Sequence, residues 1–173
     1  MNKALEIIEA HWLFRVPYDK IEVLVHPQSI VHSMVEFVDG SVVAQLGVPS
    51  MKLPIQYALT YPERIESDVP APVFTDIGRL TFDSPNPFLA RGLELAHRAG
   101  REGGTAYAVL NSANEKAVEM FLNGQCGFTD IYEIIERAMD AVAHNGDPDL
   151  DDIIRAGERA REHAEGFLSR EKQ

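Results

Sequence analysis

Five prolines between residues 62 and 87 divide this chain into two parts with different sequence patterns. Proline lacks a backbone N–H and has a fixed φ, so neither a long helix nor a central β-strand accommodates several of them. We therefore predict that residues 62–87 form an ordered linker. The linker separates two parts that are expected to fold differently, residues 1–61 and residues 88–173.

The part before the prolines changes from a helical to a β periodicity. Apolar side chains recur at helical spacing in residues 2–14, whereas residues 21–27 are rich in β-branched residues and predict a strand. Residues 31–48 predict a hairpin around Asp39-Gly40, a pair that tolerates the positive φ of a tight turn. We expect one face of this hairpin to be drier than the other, and a short helix to follow it.

The part after the prolines is helical to its end. Four segments carry apolar residues at helical spacing, and Asn123-Gly124 is a typical left-handed helix stop. Thr129 is the predicted N-cap of the third of these helices. Asn111 and Asn114 are expected to make interhelical hydrogen bonds, because buried amides need partners. The fold class is therefore α+β, with a small β-sheet and flanking helices followed by a C-terminal α-helical bundle.

Composition narrows the possible partners. The chain has 16 basic and 27 acidic residues and a formal net charge of −11, so nucleic acid is not an expected partner. Cys126 is the only cysteine, which excludes an internal disulfide and indicates a reducing compartment, the cytoplasm. Neither a signal peptide nor a membrane span is predicted, so a membrane partner is not expected.

The first turns of the predicted N-terminal helix contain an amide, an ammonium and a carboxylate at helical spacing. Asn2, Lys3 and Glu6 would project from one side of the helix, where together they could hold a phosphate and a cation. A helix N-cap at Asn2 with a surface Lys–Glu pair explains the same residues without a ligand. The residues by themselves favour this second interpretation.

Two histidines six positions apart, His26 and His32, are candidates for metal or acid–base chemistry. Neither a cysteine nor a carboxylate completes a metal-ligand spacing near them, so a structural histidine bonded to backbone is the favoured interpretation. Gly103-Gly104 follows a predicted helix and not a strand, which indicates a turn between helices and not a phosphate-binding loop.

The amino-acid sequences of four blocks, in their order along the chain, resemble those of the 1-deoxy-D-xylulose 5-phosphate reductoisomerase family. These blocks are MNKALEIIEAHWLF, HPQSIVHSMVEFVDGSVVAQLG, MKLPIQYALTYPERI and VLNSANEKAVEMFLNG. The resemblance implies an NADPH-dependent oxidoreductase and isomerase of non-mevalonate isoprenoid biosynthesis. Such an enzyme rearranges 1-deoxy-D-xylulose 5-phosphate and reduces it to 2-C-methyl-D-erythritol 4-phosphate.

The resemblance reverses the interpretation of the N-terminal helix. Asn2 and Lys3 match the pair that binds the substrate phosphate in the family, and Glu6 matches a ligand of the Mg²⁺ or Mn²⁺ ion at the substrate site. A cationic amine and an amide donor suit a phosphate monoester, and a hard oxygen ligand suits Mg²⁺. The family usually has glycine where this chain has Ala4, a change that removes no site group.

Three further positions match site residues of the family. His32 matches a histidine implicated in activity. Pro49 and Met51 match a loop that borders the substrate and the nicotinamide of the cofactor. The family often has an acid where this chain has Ser50, which leaves open the local charge of that loop.

The resemblance also implies which domain of the family each part of the chain matches. Residues 1–61 match the latter part of the catalytic domain, residues 62–87 a linker and residues 88–173 the C-terminal helical domain. The NADPH-binding domain and the remaining metal ligands of the family match nothing in this chain. We therefore expect the 173-residue chain to be inactive alone, although the family pairs its subunits as homodimers. A non-catalytic dimerisation or assembly module, or one half of a split enzyme, is the alternative.

Overall fold

A computed structural model describes residues 1–167 of the chain. The α+β prediction is confirmed: within these residues one two-stranded antiparallel sheet accompanies seven α-helices. The elements are α1 (Asn2–Phe14), a 3₁₀ turn (Tyr18–Lys20), β1 (Val31–Glu36), β2 (Val42–Leu46), α2 (Lys52–Thr60), α3 (Phe74–Ile77), α4 (Pro87–Glu102), α5 (Ala106–Leu122), α6 (Asp130–Ala141) and α7 (Leu150–Glu165). None of the helices in the described part has the length and apolar character that crossing a bilayer requires.

By compactness the chain forms two units that differ from the predicted division. The helical unit contains residues 1–23 together with residues 85 onward, and the hairpin unit contains residues 24–84. α1 belongs to the helical unit because it packs on α4. The predicted boundary at residues 62–87 concerns the functional domains and not compactness, and it stays a prediction.

The core of the helical unit is built around α5. This helix packs against α7, α6 and α4, and α6 packs against α7. Small residues on α5 and α7 let the two helices approach closely, because they leave little side chain between the backbones. Fully or almost fully buried core residues are Leu110, Ala113, Ala117, Met120, Ile134, Ile135, Ala138, Ala160 and Ala164. These helices supply their own backbone hydrogen bonds, so the core is completed by side-chain packing alone.

The turn between α4 and α5 is hydrogen-bonded to the loop between α6 and α7. Gly103 and Gly104 have φ values of 69° and 48°, as expected for a helix-end turn. The Thr105 backbone N–H donates to the Asn145 carbonyl at 2.9 Å, and the Asn145 N–H donates to the Thr105 hydroxyl at 3.0 Å. A Cβ on Gly104 would lie 2.0 Å from the Asn145 carbonyl oxygen, so the two backbones are in direct contact there.

The predicted hairpin is present in the hairpin unit. β1 and β2 pair antiparallel, with Val35 opposite Val43, and Gly40 has a φ of 80° in the turn. The expected difference between the faces is small and both faces are largely exposed, since Val35 is 57% and Val43 61% exposed and Met34, on the other face, is 43% exposed. A two-stranded sheet without a covering layer buries neither face.

Residues 21–27 do not form the predicted strand. Val25 makes an isolated antiparallel bridge with Asp83 instead. Beside it, His26 Nδ1 lies 2.7 Å from the Thr81 carbonyl oxygen, and Gln28 exchanges hydrogen bonds with the Thr81 backbone and hydroxyl. The predicted structural role of His26 is confirmed, and its partner belongs to the proline-rich segment.

Helix ends and buried amides account for the remaining differences. Thr129 occupies the N-cap position of α6 as predicted, but within residues 1–167 its side chain makes no capping hydrogen bond; the Asp130 carboxylate accepts the Gly127 N–H at this helix end. Asn111 bonds Glu115 on its own helix, and the buried Asn114 Oδ1 has no hydrogen-bond partner among the described residues. The interhelical amide bonds were therefore predicted wrongly. They would have required facing polar groups, whereas α5 faces mainly apolar side chains.

Candidate functional site

The first two turns of α1 bring together three of the predicted site residues. α1 begins at Asn2, so Asn2 and Lys3 lie in its first turn and Glu6 in its second. The first turn contains no acidic residue. The leading N–H groups of a helix have no partner within the helix, and the helix dipole adds partial positive charge there. This end of α1 therefore has the electrostatic character of an anion site.

Lys3 and Glu6 pair with each other in the structure. Lys3 Nζ lies 2.7 Å from Glu6 Oε2, and the two side chains are 67% and 51% exposed. An exposed pair at this spacing contributes about 0.2 to 0.5 kcal/mol, because water and salt screen it. The surface ion pair expected without a ligand is thus present. It is also weak enough for a phosphate to attract Lys3 and a cation to attract Glu6.

Asn2 does not play the capping role that the sequence allowed. The helix begins at Asn2 itself with Met1 as its N-cap, and the Asn2 side chain makes no hydrogen bond within residues 1–167. Its amide is exposed beside Lys3. The backbone N–H groups of this first turn are a feature of the candidate site that the sequence reasoning missed. A helix that begins at Asn2 with no acid in its first turn is the signal that could have indicated them.

The described residues do not by themselves form a metal site. Glu6 is a hard oxygen ligand of the kind that Mg²⁺ prefers. In the described part of the chain, no group of three or more His, Cys, Asp or Glu side chains is arranged to hold a metal ion. Mg²⁺ requires near-octahedral oxygen coordination, and Glu6 could supply one of those oxygen ligands.

α1 is held against the helical unit by its inner face. Ala4 and Ile7 are 1% and 2% exposed, and α1 packs on α4. Leu5 and Ile8 pack against the bundle core. The site residues on the outer side of the helix are thereby presented by a rigid element.

His32 lies at an irregularity of the hairpin. The register shifts between Val31 and Ser33, so His32 is the extra residue of a β-bulge. Its Nε2 lies 3.1 Å from the carbonyl oxygen of Gly47, just after β2. A bulge re-aims the side chain that it carries, and here it aims the imidazole at the end of the neighbouring strand.

Pro49 and Met51 lie in the short loop between β2 and α2. The Ser50 hydroxyl accepts the Lys52 backbone N–H at 3.2 Å, which orders the loop at the start of the helix. Met51 is 69% exposed and borders an open apolar groove along α2 that also contains Ile55 and Leu59. Lys52 Nζ pairs with Asp68 at 2.7 Å, so the charge close to Ser50 is locally balanced.

The six predicted site residues thus form two sets. Asn2, Lys3 and Glu6 are adjacent on one helix of the helical unit. His32, Pro49 and Met51 lie around the end of β2 in the hairpin unit.

Comparison with known sequences gives a consistent result. Residues 46–163 match the family model described as the DXP reductoisomerase C-terminal domain. Over 168 residues the chain is 56% identical to the 1-deoxy-D-xylulose 5-phosphate reductoisomerase of Acetivibrio thermocellus. This match covers 97% of the chain and 44% of that relative, so the chain spans less than half of the relative's length.

Comparison with solved structures agrees. The chain is similar to 1-deoxy-D-xylulose 5-phosphate reductoisomerase from Zymomonas mobilis in complex with NADPH, with a TM-score of 0.90 and 41% identity over 96% of this chain and 44% of that one. It is also similar to a DOX-P reductoisomerase in complex with NADPH, fosmidomycin and magnesium. The TM-score there is 0.92, with 41% identity over 99% of this chain and 44% of the other.

Proposed function

Because this chain belongs to the 1-deoxy-D-xylulose 5-phosphate reductoisomerase family, we propose that it supplies the phosphate anchor and one metal ligand of such an enzyme. The reaction is the rearrangement of 1-deoxy-D-xylulose 5-phosphate and its NADPH-dependent reduction to 2-C-methyl-D-erythritol 4-phosphate. Residues 1–61 belong to the catalytic domain, residues 62–87 link the domains and residues 88–173 form the helical domain. The observation that carries this proposal is the arrangement of Asn2, Lys3 and Glu6 at the acid-free start of α1.

Asn2 and Lys3 anchor the substrate through its phosphate. The Lys3 ammonium and the first backbone N–H groups of α1 face a dianionic group, while the Asn2 amide donates a neutral hydrogen bond. Anchoring the non-reacting end of a substrate contributes binding energy that holds the reacting carbons in place. The exposed Lys3–Glu6 pair costs little to separate, so phosphate binding replaces it readily.

Glu6 provides one oxygen to a divalent ion, Mg²⁺ or Mn²⁺. When bound, such an ion polarises carbonyl and hydroxyl oxygens as a Lewis acid. Glu6 lies one helical turn from Lys3, so the ion and the phosphate occupy neighbouring positions along α1. The other ligands come from outside the described residues of this chain.

His32, Pro49 and Met51 border the reacting part of the substrate. The exposed Met51 side chain supplies an apolar surface for the nicotinamide of NADPH. The His32 imidazole, oriented by the Gly47 carbonyl, contributes to activity as a polar group. These roles rest on the family resemblance together with the exposure of the residues.

We expect that the 173-residue polypeptide does not oxidise NADPH by itself, because its described residues contain no complete group of metal-binding side chains. Cytoplasmic localisation stays a prediction that rests on the single cysteine. Neither nucleic acid nor a membrane is a partner, and the acidic composition supports this for nucleic acid.

An assembly role is the second candidate. The hairpin exposes Val35, Phe37, Val42 and Val43, which is a surface suited to pairing with another subunit. In this alternative the chain forms a homodimer, or one half of a split enzyme, without catalysis of its own. A monomer in sedimentation at high concentration would count against self-association.

The test is a chimera in which residues 1–173 replace the matching segment of the Acetivibrio thermocellus relative. We expect substrate-dependent NADPH oxidation by the chimera and none by the isolated chain. Lys3→Ala should raise the KM for substrate about 10- to 100-fold, because it removes a charge-assisted hydrogen bond. Glu6→Gln should raise the Mg²⁺ concentration needed for half-maximal rate.

Glu9→Gln is the matched control for these variants. Glu9 is also an exposed acid of α1, three residues beyond Glu6. It should change neither the KM nor the Mg²⁺ dependence. Equal effects of Glu6→Gln and Glu9→Gln would refute the assignment of Glu6, and an unchanged KM in Lys3→Ala would refute the phosphate anchor.

A further inference from the structure

The C-terminal end of α1 is fixed by a second group of contacts, centred on Tyr18. The His11 ring stacks on the Tyr18 ring, with centroids 4.2 Å apart and planes 17° apart. His11 Nδ1 also lies 2.8 Å from the Val16 carbonyl oxygen, which closes the chain reversal between α1 and Tyr18. Arg15, in this reversal, has a φ of 55°. The helix end and Tyr18 therefore form one packed piece.

Tyr18 joins this piece to α4 and α5. Its hydroxyl lies 3.2 Å from the hydroxyl of Tyr107 on α5, and its ring meets the edge of His97 on α4 with centroids 6.1 Å apart. Burial and the hydrogen bond with Tyr107 raise the pKa of Tyr18, so the phenol stays neutral and the contact does not titrate in the physiological range. Trp12 on α1 packs edge-on against Tyr107, with centroids 6.0 Å apart.

Gly100 on α4 makes this approach possible. A Cβ at Gly100 would lie 2.5, 2.6 and 2.9 Å from three carbons of the Tyr18 ring. Real Cβ atoms do not approach other carbons so closely, so the ring can occupy its place only because residue 100 has no side chain. Glycine is a poor residue for the interior of a helix, and the contact with Tyr18 gives a physical reason for it here.

We propose that Tyr18, seated on Gly100 and bonded to Tyr107, is a positioning residue that sets the direction of α1 and through it the place of Asn2, Lys3 and Glu6. The inference rests on the proposed function for the site itself. α1 is held near its start by Ala4 and Ile7, with Leu5 and Ile8 packed beside them, and near its end by the His11–Tyr18 stack. Contacts at both ends fix the direction of a helix, whereas contacts at one end leave it free to pivot.

A small displacement at the C-terminal end of α1 is enough to move the site residues at its N-terminal end. With a rise of about 1.5 Å per residue, Asn2 lies about 5 Å and His11 about 8 Å from the midpoint of the contacts near the start of the helix. A shift of about 2 Å at His11 therefore moves Asn2 by about 1 Å in the opposite direction. A misplacement of about 1 Å at a substrate-positioning group can cost on the order of 100-fold in rate.

The first experiment measures amide hydrogen exchange in the isolated 173-residue chain, and it needs no activity. Gly100→Ala and Tyr18→Ala should speed exchange in α1 about tenfold, with little change in α5 and α7. Alanine favours helix over glycine, so helical propensity alone would not predict faster exchange. Tyr18→Phe keeps the ring on Gly100 and should lie close to the parent chain.

Gly92→Ala is the matched control, since it makes the same substitution on the same helix. A Cβ at Gly92 would meet the ring of Tyr132 on α6, at 3.0 Å, and not the Tyr18 group. This variant should loosen the packing of α4 on α6 and leave exchange in α1 unchanged. Equal exchange in α1 for Gly92→Ala and Gly100→Ala would overturn the proposal.

The second experiment places the same variants in the chimera. Gly100→Ala should raise both the KM for substrate and the Mg²⁺ requirement about tenfold or more, while Gly92→Ala changes neither. If the chimera is active and Gly100→Ala merely lowers Tm as Gly92→Ala does, Tyr18 has a structural role only and the proposal fails. If the parent chimera is inactive, the proposed function fails, and the exchange data still decide whether Tyr18 holds α1.

Discussion

The helical unit and the hairpin unit contain similar apolar residues but bury them to very different degrees. The helical unit buries residues on each of α4, α5, α6 and α7, whereas only Ile30 and Gly47 are buried within residues 24–84. A helix completes its backbone hydrogen bonds locally and needs only a neighbour for one stripe of side chains. A two-stranded hairpin needs a further layer before either face becomes dry. A buried core therefore depends on packed layers and not on apolar content alone.

Truncating a side chain of the bundle core should destabilise the protein far more than truncating one on the hairpin. Leu110→Ala should reduce the free energy of unfolding by about 3 kcal/mol, because Leu110 is 0% exposed and truncation leaves a cavity. Val35→Ala should change it by less than about 0.5 kcal/mol, because Val35 is 57% exposed. Urea unfolding followed by helical circular dichroism measures both. Equal shifts would mean that Val35 is as well packed as Leu110, contrary to their exposures.

A smaller effect would show what holds the hairpin unit together in place of a core. Gln28→Ala removes three hydrogen bonds to Thr81 and should weaken the local structure by about 1 to 2 kcal/mol. The amides of Val25 and Asp83, which bond to each other's carbonyls, should then exchange about 5- to 30-fold faster. Gln45→Ala on the exposed hairpin is the control and should leave these amides unaffected.

The smallest effect concerns two carboxylates, one in each unit. The pKa of Asp152 is lowered by the Arg155 guanidinium and by the Asp149 backbone N–H, and the pKa of Asp39 is lowered by the Ser41 hydroxyl and backbone N–H. A lowered native pKa contributes stability above the unfolded-state value of 3.8, and this is lost as the pH falls through the native pKa. NMR titration should place both midpoints below 3.8.

The two carboxylates should also differ in how their protonation affects helical unfolding. Asp152 belongs to the capping box of α7, together with Asp149, so its protonation should loosen the start of a helix that packs on α5. Asp39 holds only the hairpin turn. Asp152→Asn should therefore reduce the acid dependence of helical unfolding, and Asp39→Asn should not. A midpoint of Asp152 above 3.8 would contradict the capping geometry.

Local patterns were sufficient to predict the bundle helices and the hairpin. Apolar spacing identified α5 and α6, Asn123-Gly124 ended α5, and Asp39-Gly40 formed the turn. These features depend on residues close together in the sequence, so a single sequence carries their signal.

Features formed between distant residues escaped prediction. The bridge from Val25 to Asp83 replaced an expected strand, and α1 joined the helical unit by packing on α4. The contact of Tyr18 with Gly100 left only one visible trace, a glycine within an amphipathic helix. Residue patterns also could not decide whether Lys3 forms a surface ion pair or binds a phosphate. The phosphate assignment came from the family resemblance, and it stays a prediction.

The backbone contact between Gly104 and Asn145 has a practical consequence for protein engineering. An affinity tag or a fluorescent domain inserted at residues 103–105 would have to force apart two loops that touch without intervening side chains. The same insertion at Gly40 meets nothing within 4 Å of the Cβ position. Fusion partners and spectroscopic labels therefore belong at the hairpin tip, where the molecule has room for them.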